Sequence, residues 1–194
     1  MGARSPRKSD RSHEAEQAGS DRSHEAEPSV NAGRSRSALV LCIVFAAMSL
    51  LWLCFIFSNS LKSADASSQD SGRLLLFMQK IFPSMSDHVL RKLAHFIEFA
   101  VLGVLASLAI VYRLKLRRLR ADDNAPVKLL PYLCGLAAFG VLCPVIDELL
   151  QLFSPGRSTE FLDMLIDFSG FALGALVVAA VAGIAHFKGA RRGD

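Results

Sequence analysis

The sequence predicts an all-α membrane protein, a polytopic bundle of four transmembrane helices with one short interfacial helix. Two observations carry this prediction. Of the 194 residues, 52% are apolar and only 21% are charged, and the apolar residues gather in four long segments instead of spreading evenly. The Lys and Arg residues lie in blocks between those segments, a pattern that is typical of membrane topology signals and not of nucleic-acid binding.

The first 37 residues precede the apolar segments and show no apolar periodicity. They contain an internal repeat, DRSHEAEQAGS at 10–20 followed by DRSHEAEPS at 21–29. Such a polar segment buries too little apolar surface to offset the entropy lost on ordering. We therefore expect residues 1–37 to form a disordered tail, and we interpret His13 and His24 as solvated side chains rather than metal ligands.

The first predicted span, 38–57, consists of 20 uncharged residues. As a helix it is about 30 Å long, which matches the hydrocarbon thickness of a bilayer. It is too long and too far from the start for a cleaved signal peptide, so we expect a retained signal-anchor helix. The other predicted spans are 93–112, 129–153 and 161–187.

A shorter helix is predicted at 72–82, between the first two spans. Its apolar residues recur at the spacing of one helical face: Leu74, Phe77, Met78, Ile81 and Phe82. The segment is too short to cross a bilayer. It therefore either lies on the membrane surface or packs against the bundle.

These elements divide the chain into a tail (1–37), a four-helix transmembrane domain (38–188) and a short basic C-terminus (189–194). The four cysteines lie in apolar runs without CxxC spacing, which is typical of free thiols. A bridge between Cys54 and Cys143, near one membrane face, stays open as an alternative.

The basic residues predict the orientation of the bundle. The tail holds seven Lys and Arg, the loop between the second and third spans six, and the C-terminus three, which places 16 on one side and six on the other. The more basic side is the cytoplasmic one. We therefore expect both termini in the cytoplasm and the SPGR turn at 154–157 outside.

Ionisable residues within the spans gather near the predicted external ends. On the second span, His95 and Glu98 are three residues apart and share a helical face. On the third span, Asp147 and Gln151 are four residues apart, and Glu148 follows Asp147 directly. An ionised carboxylate in contact with lipid is costly, so we expect these groups to face the interior of the bundle.

The fourth span repeats the pattern. Asp163 and Asp167 share a face with Gly170 and Gly174. The two glycines predict the close approach of another helix. Between the third and fourth spans, Pro-Gly suits a type II turn, which would hold Arg157 over the acids.

Three helices thus place a carboxylate at one depth. Glu98, Asp147 and Asp167 each lie about 8–9 Å below the predicted outer surface. We interpret this polar cluster as a site that opens outward. The alternative is a structural lock, in which Arg157–Asp163 or Arg91–Glu98 is an ion pair that holds the bundle together, although buried pairs seldom add net stability over apolar packing.

At these residues the sequence resembles the VanZ-like family of bacterial membrane proteins. The resemblance is carried, in order, by FSNSLKSADASSQDSG, RKLAHFIEFAVLGVL and DELLQLFSPGRSTEFLDMLIDFSGFALG. These segments cover most of residues 57–174, and the tail lies outside them. The resemblance implies eight positions as the site: His95, Glu98, Asp147, Glu148, Gln151, Arg157, Asp163 and Asp167.

The family is named for a protein of glycopeptide-resistance gene clusters that lowers susceptibility to teicoplanin. The resemblance therefore implies a multi-pass protein of the bacterial plasma membrane, acting at the outer leaflet on a glycopeptide target or a lipid-linked cell-wall precursor. Membrane lipids are expected partners and nucleic acid is not. The sequence assigns no cofactor, no metal and no oligomeric state.

Two other functions stay open. One is a metal-dependent membrane enzyme acting on a lipid-linked wall precursor, because carboxylates with one histidine suit Mn²⁺, Mg²⁺ or Ca²⁺ better than structural zinc. The other is a small transporter or proton relay, which the lack of acids in the inner half of the spans disfavours.

Overall fold

A computed structural model describes the backbone of residues 8–120, 128–156 and 160–190. Side chains at 8–30, at 186–190 and at several positions within 64–74 lie outside the description. In the described ranges the chain forms five helices and no strand: α1 Lys8–Ser60, α2 Ala64–Ile81, α3 Asp87–Arg120, α4 Leu130–Gln151 and α5 Phe161–Ala190.

Among the described residues, four helices are long and apolar enough to cross a membrane. These segments are Asn31–Ser60, Asp87–Arg120, Leu130–Gln151 and Phe161–Ala185. They confirm the predicted all-α bundle with four spans. The four cysteines are free thiols, so the alternative of a Cys54–Cys143 bridge is wrong.

The first helix extends back beyond the predicted span. Residues 31–37 continue the helix and are mostly exposed, and Ser37 Oγ donates to Gly33 O at 3.1 Å. Extending an existing helix costs far less than nucleating one, which accounts for helical residues within the predicted tail. The disorder of 1–37 and the domain boundaries stay predictions.

Helix α2 begins eight residues before the start that periodicity predicts. The side chain of Ser63 accepts a hydrogen bond from the Ala66 N–H at 3.3 Å and caps the first turn. The helix contacts α3, while Leu76, Phe77 and Ile81 stay exposed. Its position on the membrane surface stays a prediction.

Helix α3 is the centre of the bundle, since it packs extensively against both α1 and α5. It runs antiparallel to α1, because Trp52 donates to the Glu98 carbonyl oxygen and Phe45 stacks on Tyr112 at a centroid distance of 5.6 Å. The end of α1 contacts α4 near its end through Ser60 and Asp147, and the start of α3 contacts Glu160 just before α5 through Lys92, so α1 and α4 end where α3 and α5 begin. We call this end of the bundle the polar end.

Helices α3 and α5 run parallel and touch through glycine. A Cβ atom at Gly170 would overlap the carbonyl oxygen of Phe96, and one at Gly174 would overlap that of Ala100. At these two glycines the backbone of α5 therefore lies directly against the backbone of α3. A third contact, in which Gly103 of α3 meets the Phe171 backbone, was not predicted.

One layer of apolar side chains fills the middle of the bundle. Ile56, Phe99, Cys143 and Phe171, one from each spanning helix, are all at most 3% exposed and pack together. Gly140 leaves room for the Phe171 ring, since a Cβ there would lie 2.5 Å from two ring carbons. We call these four residues the apolar layer.

Candidate functional site

Each member of the apolar layer has a polar residue four positions away on the same helix, one helical turn closer to the polar end. The pairs are Ile56–Ser60, Phe99–His95, Cys143–Asp147 and Phe171–Asp167. Residues four apart share a helical face, so the four polar residues point inward as the apolar ones do. They form a second layer about 6 Å from the first.

Asp147 lies at the centre of this second layer and is fully buried. Its Oδ1 accepts a hydrogen bond from Ser60 Oγ at 2.6 Å, and its Oδ2 accepts one from Gln151 Nε2 at 3.1 Å. His95 Nδ1 lies 3.9 Å from the same Oδ2. The Ser154 hydroxyl donates to the Ser60 carbonyl oxygen at 2.8 Å, which joins the ends of α1 and α4.

Glu148 is also fully buried, and it turns toward α5. Its Oε1 accepts from Gln151 Nε2 at 3.2 Å, and its Oε2 accepts from the Glu160 N–H at 3.2 Å. That N–H directly precedes the first turn of α5. A carboxylate is favoured there by the dipole of the helix N-terminus.

Lys92 joins α3 to the start of α5. Its Nζ lies 3.0 Å from Glu160 Oε2 and 2.5 Å from Asp163 Oδ1. Glu160 lies between the spanning segments, and the hydrogen bond and positive charge of Lys92 lower its pKa below the usual value of a glutamate.

Arg91 belongs to the alternative ion pair Arg91–Glu98. In the structure its guanidinium pairs with Asp87, four residues earlier on the same helix, at 2.7 Å. The alternative pair, Arg157–Asp163, lies partly outside the described residues, because residues 157–159 are not described.

Glu98 faces α1. Its Oε1 accepts from Asn59 Nδ2 at 3.2 Å, its Oε2 lies 3.8 Å from His95 Nδ1, and its carbonyl oxygen accepts from Trp52 Nε1 at 2.9 Å. The first helix therefore supplies three polar partners to the cluster, Trp52, Asn59 and Ser60.

Asp167 is 1% exposed, and no hydrogen-bond donor among the described residues reaches its Oδ1. His95, Asp147 and Asp167 each offer one possible ligand atom, and these three atoms lie within 4.8 Å of one another. The three residues come from α3, α4 and α5. They are the part of the cluster that could hold a metal ion.

A cavity of about 210 Å³ lies at the polar end of the bundle. Its described lining combines cluster residues with residues of the helix ends: His88, Arg91, Lys92, His95, Glu148, Gln151, Gly156, Glu160, Asp163, Ile166 and Asp167. Gly156 has a φ of 76°, as the third position of a type II turn requires. The cavity therefore connects the buried carboxylates with the ends of the helices.

The structure brings together seven of the eight predicted site residues, and Arg157 lies outside the described part. We call the joined set, together with two neighbours, the polar cluster: Ser60, Lys92, His95, Glu98, Asp147, Glu148, Gln151, Asp163 and Asp167. Sequence analysis did not propose Ser60 or Lys92. Lys92 could have been found because it lies three residues before His95 on the same helical face. Ser60 could have been found because it lies three residues after the end of the first predicted span.

The model of one protein family, VanZ/LLP1, matches residues 44–182. The matched range covers more than half of the chain, all four layer pairs and the whole polar cluster. No curated protein and no solved structure matches the chain. The match agrees with the resemblance found in the sequence, and the chain belongs to the VanZ/LLP1 family.

Proposed function

We propose that this chain is a plasma-membrane protein of a bacterial cell envelope that lowers susceptibility to glycopeptides such as teicoplanin. It acts through the polar cluster, which faces the outside and engages a glycopeptide target or a lipid-linked wall precursor. The orientation follows from the basic residues, because 16 of the 22 Lys and Arg belong to the side opposite the polar end. The outward cavity gives an external ligand access to the cluster.

The observation that carries this proposal is the burial of three acidic side chains. Apolar side chains at the same positions would serve the stability of the bundle at least as well. Asp147, Glu148 and Asp167 are each at most 1% exposed. Burying charge is costly, and well-packed apolar residues usually serve bundle stability at least as well. Five carboxylates against one lysine in the described cluster exceed what a lock between helices requires. Ionisable groups within spans that face a cavity are typical of functional sites.

Susceptibility to teicoplanin tests the proposal. A sensitive bacterial host expresses the native chain, Asp147→Asn or Asp167→Asn, and the membrane abundance of each variant is measured alongside. The amide keeps the size and hydrogen-bonding groups of the acid but removes its charge. We expect both variants to lose protection.

Asp87→Asn is the matched control, because it makes the same chemical change at the polar end of the bundle but outside the polar cluster. Asp87 pairs with Arg91 four residues later, and its side chain is about 30% exposed. It should protect as the native chain does. Protection by both cluster variants at native abundance would disprove the proposal and support a structural role for the acids.

A further inference from the structure

We propose that His95, Asp147 and Asp167 bind a divalent cation such as Mn²⁺ at the point where α3, α4 and α5 meet. The cation gives the polar cluster a ligand, and its biological role rests on the function proposed above. The binding itself is independent of that role and can be measured without it.

The first support is geometric. Ligand atoms about 2.0–2.2 Å from a common metal ion lie no more than about 4.3 Å apart. His95 Nδ1 and Asp147 Oδ2 are already 3.9 Å apart, and all three candidate atoms lie within 4.8 Å. The three atoms therefore need to move closer by only about 0.5 Å to reach the spacing of a bound site.

The second support is the buried oxygen of Asp167. An ionised carboxylate oxygen removed from water needs a donor or a cation. No donor among the described residues reaches Asp167 Oδ1. The same side chain lines the cavity and is 1% exposed. A cation between Asp167 and Asp147 would satisfy this oxygen and reduce the repulsion between the two acids.

The surroundings hold the ligands in place. Asp147 is fixed by Ser60 Oγ at 2.6 Å and by Gln151 Nε2 at 3.1 Å, and such hydrogen bonds orient ligating carboxylates. Glycine contacts between α3 and α5 fix the spacing of the helices that carry His95 and Asp167. The site is therefore built on rigid elements, with both acids supported by the packed bundle.

The donor set indicates the class of cation. Two carboxylates and one imidazole make a mainly oxygen site, which suits Mn²⁺. Structural zinc sites use four protein ligands, usually cysteine and histidine. Three ligands leave further coordination positions, and the cavity beside them is wide enough to admit water or an anionic ligand group.

Metal binding to the purified full-length chain tests the site. The protein in detergent micelles is stripped with a chelator and titrated with Mn²⁺, and free Mn²⁺ is followed by electron paramagnetic resonance. We expect one ion per chain and a rise in the thermal unfolding temperature with added Mn²⁺. Asp167→Asn and His95→Gln should weaken binding by at least about 100-fold, and Ser60→Ala by about 10- to 100-fold.

Asp87→Asn is the matched control. Asp87 lies two turns before His95 on the same helix, outside the polar cluster, and its carboxylate pairs with Arg91 at 2.7 Å, so its amide should leave Mn²⁺ affinity unchanged. A native chain that does not bind Mn²⁺, or an Asp87→Asn effect as large as that of both ligand variants, would overturn the cation site. If the native chain binds Mn²⁺ but its expression leaves the teicoplanin susceptibility of the host unchanged, the proposed function is overturned and the cation site stands.

Discussion

Asp147 and Glu148 are adjacent in the sequence, yet they serve different neighbours. Consecutive helical residues point about 100° apart, so Asp147 meets α1 through Ser60 whereas Glu148 meets the start of α5 through the Glu160 N–H. Gln151 donates to both acids from one turn further on. The two acids of α4 therefore contact both α1 and the start of α5. A single acid at either position would contact only one of them.

The ion pair between Lys92 and Glu160 should make stability depend on pH. Because Lys92 lowers the pKa of Glu160 in the folded chain, the pair stabilises the fold above the usual pKa of a glutamate. That contribution is lost as the pH falls through the lowered pKa. We expect Glu160→Gln to lower the thermal unfolding temperature at neutral pH, and the difference from the native chain to vanish in acid.

The measurement is thermal unfolding in micelles at a series of pH values. Lys92 also contacts Asp163, so the double variant Lys92→Met with Glu160→Gln is the control, and it should show a weaker pH dependence than the native chain. An unfolding difference for Glu160→Gln that persists unchanged well below the usual glutamate pKa would contradict the prediction.

At the scale of elements, the contact between α3 and α5 depends on residues without a side chain. Gly174→Ala would place a methyl group against the Ala100 carbonyl oxygen. Backbone cannot rotate away as a side chain can, so the helices must separate, at a cost of about 1–3 kcal/mol. We expect a lower unfolding temperature in micelles for this variant.

Gly183→Ala provides the comparison on the same helix. No atom of the described residues lies within 4 Å of a Cβ atom placed there, and alanine favours helix over glycine by up to about 1 kcal/mol. Its unfolding temperature should equal or exceed that of the native chain. Equal losses of stability at positions 174 and 183 would show that the close contact with α3 does not matter.

Apolar length and helical periodicity predict the spans well, but they do not predict where helices end. Helix α3 continues through charged residues on both sides of the predicted span, from Asp87 to Arg120, because charged side chains at helix ends reach water. The start of α2 was missed because its cap is one hydroxyl, Ser63, in a polar segment that has no apolar pattern.

At the scale of the whole molecule, the distribution of Lys and Arg predicts one orientation of the bundle. Reporter domains fused after residue 122 should be cytoplasmic, and those fused after residue 158 should be external, because the first position belongs to the strongly basic side. Enzymatic reporters that are active on only one side of the membrane measure this directly. The reverse pattern would place the polar cluster on the cytoplasmic side and contradict the proposed function.

The members of the polar cluster were largely predictable, and their partners were not. Acids within apolar segments are costly unless they face inward, so His95, Asp147 and Asp167 stand out in the sequence. The contact between Ser60 and Asp147 joins residues 87 positions apart. Helical periodicity fixes which face a residue occupies but not which helix lies opposite. Lys92 lies just outside the second predicted span, and its contact with Asp163 of another helix cannot be predicted from that position.

The apolar layer has a consequence for what the bundle can transmit. Ile56, Phe99, Cys143 and Phe171 close the interior directly beneath the polar cluster, with the Phe171 ring seated on Gly140. Below the acids, by about one helical turn, the interior of the bundle is lined by these apolar side chains. We therefore expect an ion bound by the cluster to leave through the cavity at the polar end, and not through the middle of the bundle.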